Sequence, residues 1–258
     1  MAPSAPVSGH VASTRLKLRN NRPSASQNVA HIYKIKRRNS KPMNNLRRTS
    51  LIGLAVLPLA ALGLYSAITR IDPNPRHAVG EQLDELNGVA IYYNGGVNTV
   101  QGRNQTQDGY NLGLRYQCVE FVKRYYFERH GHRMPDSYGH AKDFFDTQVS
   151  DGGLNAKRGM LQFTNGSTTP PQADDLLVFA PSLLNRYGHV AIIASADKDT
   201  VQIAQQNPGP FGSARESIPF AQREGRWYIE NDRVRGWLRL PAADEQVPTL
   251  DQSVGLMH

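Results

Sequence analysis

Residues 51–68, LIGLAVLPLAALGLYSAI, run for eighteen positions without a charged side chain. A run with no polar face cannot rest on a water-soluble core as an amphipathic helix does. It is close to the roughly 20 residues that cross a bilayer and longer than the apolar part of a signal peptide, about 7 to 15 residues. The pattern therefore predicts a membrane-spanning or export segment over 50–69, which divides the chain into unlike parts.

Charge follows the same division. The formal net charge is +8, but residues 1–69 hold eleven Lys or Arg and no acidic side chain, whereas 70–258 hold nineteen basic against twenty-two acidic side chains, a net of −3. The basic side is expected in the cytoplasm and the region after the apolar run outside it. A nucleic-acid partner is not expected, because the folded part is slightly acidic overall. Residues 1–49, rich in Ser, Asn, Pro and Arg, read as a disordered basic tail. The expected order is then a segment at 50–69, a linker at 70–87, one domain at 88–242 and a tail at 243–258.

Anchor and cleaved signal both remain open. Pro58 is tolerated in a spanning helix, Ala61 and Gly63 suit a cleavage site, Arg47-Arg48 suits twin-arginine export, and Met43 is an alternative start. The localisation expected is an inner membrane, single-pass, with the domain on the periplasmic or extracytoplasmic side, or export after cleavage.

Beyond residue 72 the texture is globular. GVAIYYNGG (88–96) reads as strand and turn. From Cys118 to His130, Phe121, Val122, Tyr125 and Tyr126 form the apolar face of a helix, and a shorter helix is predicted over 138–149. Short β-branched or aromatic runs follow at 175–180, 189–195, 200–205, 216–220, 226–230 and 236–240. Helices first and strands afterwards define an α+β fold class, with helices packed on an antiparallel sheet.

Cys118 is the only cysteine, so no intramolecular disulfide is available to it. A free cysteine is commonly a buried, inert side chain. At the first turn of a helix, however, unpaired N–H groups and the macrodipole favour the nucleophilic thiolate. A nucleophile needs a base, and two of the eight histidines are suitably placed, both in the tripeptide Tyr-Gly-His: His140, before a helical pattern, and His189, at the start of an apolar strand. His189 is preferred because a strand holds an imidazole rigidly and Gly188 permits close backbone approach. Gln205 and Asn207, on one face of the next strand if its period of two continues, are candidates to orient the base.

The blocks YQCVEFVKRYYFERHG, LQFTNGS (161–167), DLLVF, GHVAII and QIAQQN, in this order, resemble the CHAP superfamily of cysteine-histidine amidohydrolases and peptidases, in particular the amidase half of glutathionylspermidine synthetase/amidase. The likeness runs from about 88 to 240. It implies a papain-like α+β fold and a thioester mechanism, with Cys118 as nucleophile, His189 as base, and an oxyanion hole from Gln117 and the Cys118 N–H. Gln205 stands where these amidases usually have glutamate, and Asn207 matches their asparagine. Lys123 replaces a substrate-binding arginine, and Asp174 a glycine. No metal and no cofactor are implied. The expected substrate is a peptide amide bond of the cell wall (peptidoglycan), with the membrane contacted through 51–68. A glutathionylspermidine-type amidase and a non-catalytic binder of wall peptides are the alternatives.

Overall fold

A computed structural model describes residues 45–242; most of the basic tail and the C-terminal stretch 243–258 lie outside the described residues. By its contacts the chain divides into two units, Met1–Gly53 and Leu54–His258, of which the second carries the sheet and the candidate site.

Helix α1 (Asn45–Arg70) covers the apolar run with Pro58 inside it, and Leu54, Leu57, Leu59, Leu62 and Leu64 are exposed along it. Among the described residues no helix is long and apolar enough to cross a membrane, so the span over 51–68 stays an expectation of the sequence. The end of α1 is built into the domain. Thr69 is buried, and its terminal carbonyl, which has no partner within the helix, accepts the Asn98 N–H at 2.8 Å. A Cβ on Gly96 would lie 2.9 Å from the Arg70 and Thr69 backbones, so only glycine lets the loop and helix end meet. Further on, Asp72 accepts the Tyr93 hydroxyl at 2.6 Å, and Asn74 donates to the Pro210 carbonyl at 2.7 Å. The stretch 70–87, expected as a linker, is thus held at several points and also carries the first strand.

That strand, β1 (Gln82–Leu86), pairs with β2 (Val89–Tyr92), and β3 (Arg103–Gln105) pairs with β4 (Asn111–Leu114). Helix α2 (Cys118–His130) follows and ends at Gly131, whose φ of 63° is the left-handed cap conformation that glycine accepts most readily. The remaining strands are β5 (Gly153–Asn155), β6 (Met160–Thr164), β7 (Leu176–Phe179), β8 (His189–Asp197), β9 (Thr200–Ala204), β10 (Arg215–Arg223), β11 (Arg226–Ile229) and β12 (Val234–Arg239). They form one antiparallel sheet of eight strands, ordered β11-β10-β9-β8-β7-β12-β6-β5. Few helices against a large antiparallel sheet make the fold α+β.

Alternation along β7 shows how the core is divided. Leu176 and Val178 face α2, joining Phe121, Val122, Tyr125 and Tyr126 with Val190, Ile192 and Leu238. Leu177 and Phe179 face the other way, onto Ile193, Ile203, Trp237, Ile218 and Phe220. The second face is filled by the sheet's own outer strands. This is possible because β10 pairs with β9 up to Pro219 and with β11 from Phe220 onward.

The helix predicted over 138–149 is reduced to a 3-10 turn, Ala141–Phe144. Carbonyls in and just after it are captured from outside: Arg158 donates to Asp143, Asn155 to Phe144 and Gln162 to Asp146. Side chains thereby take the acceptors a continuing helix would need.

Candidate active site

Cys118 opens α2 and His189 opens β8, and the two elements pack together in one core. Gly188 makes the approach of the surrounding backbone possible. Its φ is +79°, and a Cβ there would lie 2.8 Å from the Phe179 carbonyl and 3.0 Å from the Lys142 nitrogen. Backbone N–H groups of Val190, the residue after the histidine, and of Val119 and Cys118 lie near enough to the cysteine sulfur to favour its charged form. The strand start thus closes on the helix start.

Charge at this junction differs from the expectation for a helix N-terminus. Both side chains are almost fully buried, at 6% and 8% exposure. Burial pushes the Cys118 thiol up to about 11 against the pull of the three N–H groups. Burial also pushes His189 down to about 4; the Gln205 hydrogen bond raises it and Arg233 lowers it further. Desolvation exceeds the helix-end effect, and the resting pair at neutral pH is thiol and neutral imidazole rather than thiolate and imidazolium.

Gln205 meets His189 directly, with Nε2 of the ring 2.8 Å from Oε1 of the amide. The amide is oriented by its other end, since Nε2 of Gln205 donates to the Ser213 carbonyl and the Glu216 carboxylate, both at 3.1 Å. Oε1 can only accept, so His189 carries its proton on Nε2 and leaves Nδ1 as an acceptor.

The other expected residues lie differently. Strand β9 ends at Ala204 and Asn207 has φ of 58°, so the period of two does not extend to it. Its Nδ2 donates to the Val97 carbonyl and to Oε1 of Gln117, both at 2.8 Å, and no bond joins it to His189. Gln117 in turn donates to the carbonyls of Thr99 at 2.6 Å and Val97 at 3.2 Å. Both protons of that amide are occupied, so donating to an oxyanion would require release of one, the longer being the weaker. Asn207 therefore supports the residue before the cysteine, not the base. We predict that Gln205→Ala lowers kcat/KM for amide hydrolysis about 100-fold and Asn207→Ala about 10-fold; the reverse order would assign the orienting role to Asn207.

Lys123, expected to contact substrate, is 1% exposed. Its Nζ donates to the carbonyls of Asn111 and Ser137, the latter at 2.7 Å, and lies 4.9 Å from the Tyr110 ring centroid. Burial lowers its pKa to about 8. These partners make it a fixture beneath the β3–β4 hairpin, with no donor turned to a substrate carboxylate. His140 is exposed and stacks on Tyr187 at 4.6 Å between centroids. Asp174 has φ of +70°, which explains why glycine would suit the position, and its carboxylate and carbonyl accept the hydroxyls of Tyr125 and Tyr126, both at 2.5 Å.

Two residues that hold the site together were not singled out from the sequence. Glu120, in the first turn of α2, accepts from Arg124 at 2.7 Å, Asn104 at 2.7 Å and Gln206 at 2.8 Å. Gln206 also donates to the Gln117 carbonyl at 3.0 Å and accepts the Tyr92 N–H at 2.9 Å. This buried network locks the cysteine's helix start to the end of β9. An acidic residue early in a helix was the available signal for Glu120; Gln206 had none. A groove of about 610 Å³ lies along the outer side of α2, lined by Asn104, Asp108, Leu112, Arg124, Phe127 and Glu128, and none of the expected site residues lines it.

A helix-borne thiol and a strand-borne imidazole, oriented by an amide on an antiparallel sheet, are the kinds of group that cysteine amidohydrolases use. Residues 106–207 match the CHAP domain family, and this stretch of the chain is a CHAP domain, of the cysteine amidase and peptidase class. Over 168 residues, 61% of the chain, it is 31% identical to the trypanothione synthetase of Crithidia fasciculata, of which the match covers 26%. Over 107 residues, 41% of the chain, it is 36% identical to the bifunctional glutathionylspermidine synthetase/amidase of Escherichia coli (strain K12), covering 17% of that protein. The chain thus spans about a quarter or less of the length of these curated relatives.

Proposed function

We propose that the protein is a cysteine amidase that hydrolyses peptide amide bonds of the cell wall, held at the outer face of a membrane by residues 51–68. The observation that carries the catalytic part is the bond from His189 Nε2 to Gln205 Oε1, which leaves Nδ1 free to act as base, on a strand packed against the helix that Cys118 opens. In the reaction, Sγ attacks the amide carbon as its proton passes to Nδ1. The C–N bond breaks, and the same proton leaves on the amine. Water then gives a proton to Nδ1 and attacks the thioester, and the thiol is restored as the carboxylic acid departs. A neutral resting pair suits this sequence, because charge separates only as the carbonyl is attacked and its oxygen can be met by the Cys118 N–H.

Placement outside the cytoplasm is supported by the eleven basic residues on the leading side of the apolar run. A second reading, an amidase acting on a peptide–polyamine conjugate, is favoured by the likeness to the bifunctional synthetase/amidase of Escherichia coli. It is weakened by Lys123, whose ammonium, at the place of the arginine in those amidases, is buried and engaged by backbone carbonyls. Incubating the full-length protein with purified peptidoglycan and, separately, with glutathionylspermidine, and weighing the products, decides between them. New amino and carboxyl ends on wall peptides are expected; release of spermidine alone would overturn the wall reading.

A further inference from the structure

Behind Gln205 stands a carboxylate that the reaction scheme does not use. Glu216, the second residue of β10, lies on the exposed side of that strand, yet its Oε2 accepts a proton from the buried Gln205 amide at 3.1 Å. The nearest cation in sequence is engaged elsewhere: Arg215 pairs with Asp84 at 2.7 Å and donates to the Glu85 carbonyl. The Glu216 charge is therefore not neutralised by its neighbour.

A primary amide can face an imidazole with either end, and the two choices have opposite chemical results. With oxygen toward the ring, Nε2 is protonated and Nδ1 is an acceptor. With nitrogen toward the ring, Nε2 becomes the acceptor and the proton moves to Nδ1, which removes the base. Turning Gln205 over would also aim its oxygen at the Ser213 carbonyl and the Glu216 carboxylate, both acceptors. A charged acceptor opposes this more strongly than a neutral one.

We propose that Glu216 is a positioning residue for the base: its carboxylate holds the Gln205 amide with oxygen toward His189 and so selects the imidazole tautomer that can take the cysteine's proton. This deepens the cysteine amidase reading and depends on it for its catalytic meaning, though the tautomer itself does not. The charge acts through one amide. It offers the imidazolium formed during attack some of the stabilisation that a carboxylate in direct contact would give, without the desolvation cost of burying an anion against His189. Of the other groups near the ring, Arg233 from the turn before β12 opposes protonation by its charge, Phe179 lies 5.7 Å away between ring centroids, and the Lys142 backbone nitrogen abuts the neighbouring Gly188.

The test uses the full chain labelled with ¹⁵N in histidine. Imidazole nitrogen shifts of His189, assigned by their loss in His189→Ala, report the tautomer and the pKa, with no substrate required. The parent should hold its proton on Nε2. Glu216→Ala should lower the His189 pKa by about half a unit through loss of the nearby anion, and Glu216→Lys, which supplies a donor where there was an acceptor, should move at least about half of the population to the Nδ1–H form. Moving the charge inward, with Gln205→Glu and Glu216→Gln together, should restore the Nε2–H form and raise the pKa above the parent's. Glu216 is on the surface, and unchanged melting of its variants would exclude a purely structural cause. If Glu216→Ala and Glu216→Lys both leave tautomer and pKa as in the parent, the proposal is overturned whether or not the protein hydrolyses amides. If the tautomer shifts while Cys118→Ala retains full hydrolysis, the amidase reading fails and the positioning role of Glu216 stands.

Discussion

Cys118→Ala in the full chain should reduce amide hydrolysis by about 10⁴-fold or more, and His189→Ala by a similar factor, because nucleophile and base act as a unit. The double variant should be no worse than either single one. Alkylation gives a second measure, and a clean one, since the chain has no other thiol. With burial pushing the thiol up to about 11, iodoacetamide should react slowly at pH 7 and faster as the pH rises toward that value. Fast labelling at pH 6 would mean that a thiolate–imidazolium pair exists before substrate arrives, contrary to the buried neutral pair. Hydrolysis that survives Cys118→Ala would remove the cysteine from the chemistry altogether.

Arg239→Ala should be the most damaging substitution away from the site. Asp175, 1% exposed at the edge of β7, receives both Nε and Nη2 of Arg239, at 2.8 and 2.7 Å. Burial alone already raises the Asp175 pKa, and Arg239 opposes that rise. Removing the guanidinium leaves a buried carboxylate with only the Gln172 N–H at 2.9 Å. A loss of about 3–5 kcal/mol in denaturant unfolding is expected. Part of it should return at lower pH, because the carboxyl, its folded-state pKa further raised, can then enter the core protonated. Replacing Asp175 by Asn in the same background should recover stability at neutral pH as well. A change under about 1 kcal/mol would show that this ion pair carries little.

Where sequence reading succeeded, the deciding signal was local. The apolar spacing of Phe121, Val122, Tyr125 and Tyr126 marks α2, and the β-branched runs mark β7, β8 and β9. Gly188 pointed to a tight backbone approach, and the structure has one. By contrast β3, with sequence RNQ, and β4, with NLGL, have no alternation to read over three or four residues, and their pairing depends on each other. Lys123 was expected at the substrate because the resemblance sets it in the place of an arginine, and neither the resemblance nor helical position tells of the two carbonyls that enclose its Nζ. Glu216 was invisible for a similar reason: it sits at an exposed strand position, and only the loop 208–214 returning past Gln205 brings its carboxylate to the amide.

The join between α1 and the domain determines how far the catalytic residues can travel. An unstructured linker over 70–87 would let a domain range up to about 60 Å from the end of its anchor. Here the Thr69 carbonyl is held by Asn98, and the loop that contains Asn98 also supplies the Val97 and Thr99 carbonyls that hold Gln117 and Asn207. With the proposed anchor in a bilayer, Cys118 would work on a short, stiff leash at nearly constant height. Substrate would have to come to that height, which favours material lying against the membrane over the outer layers of a wall.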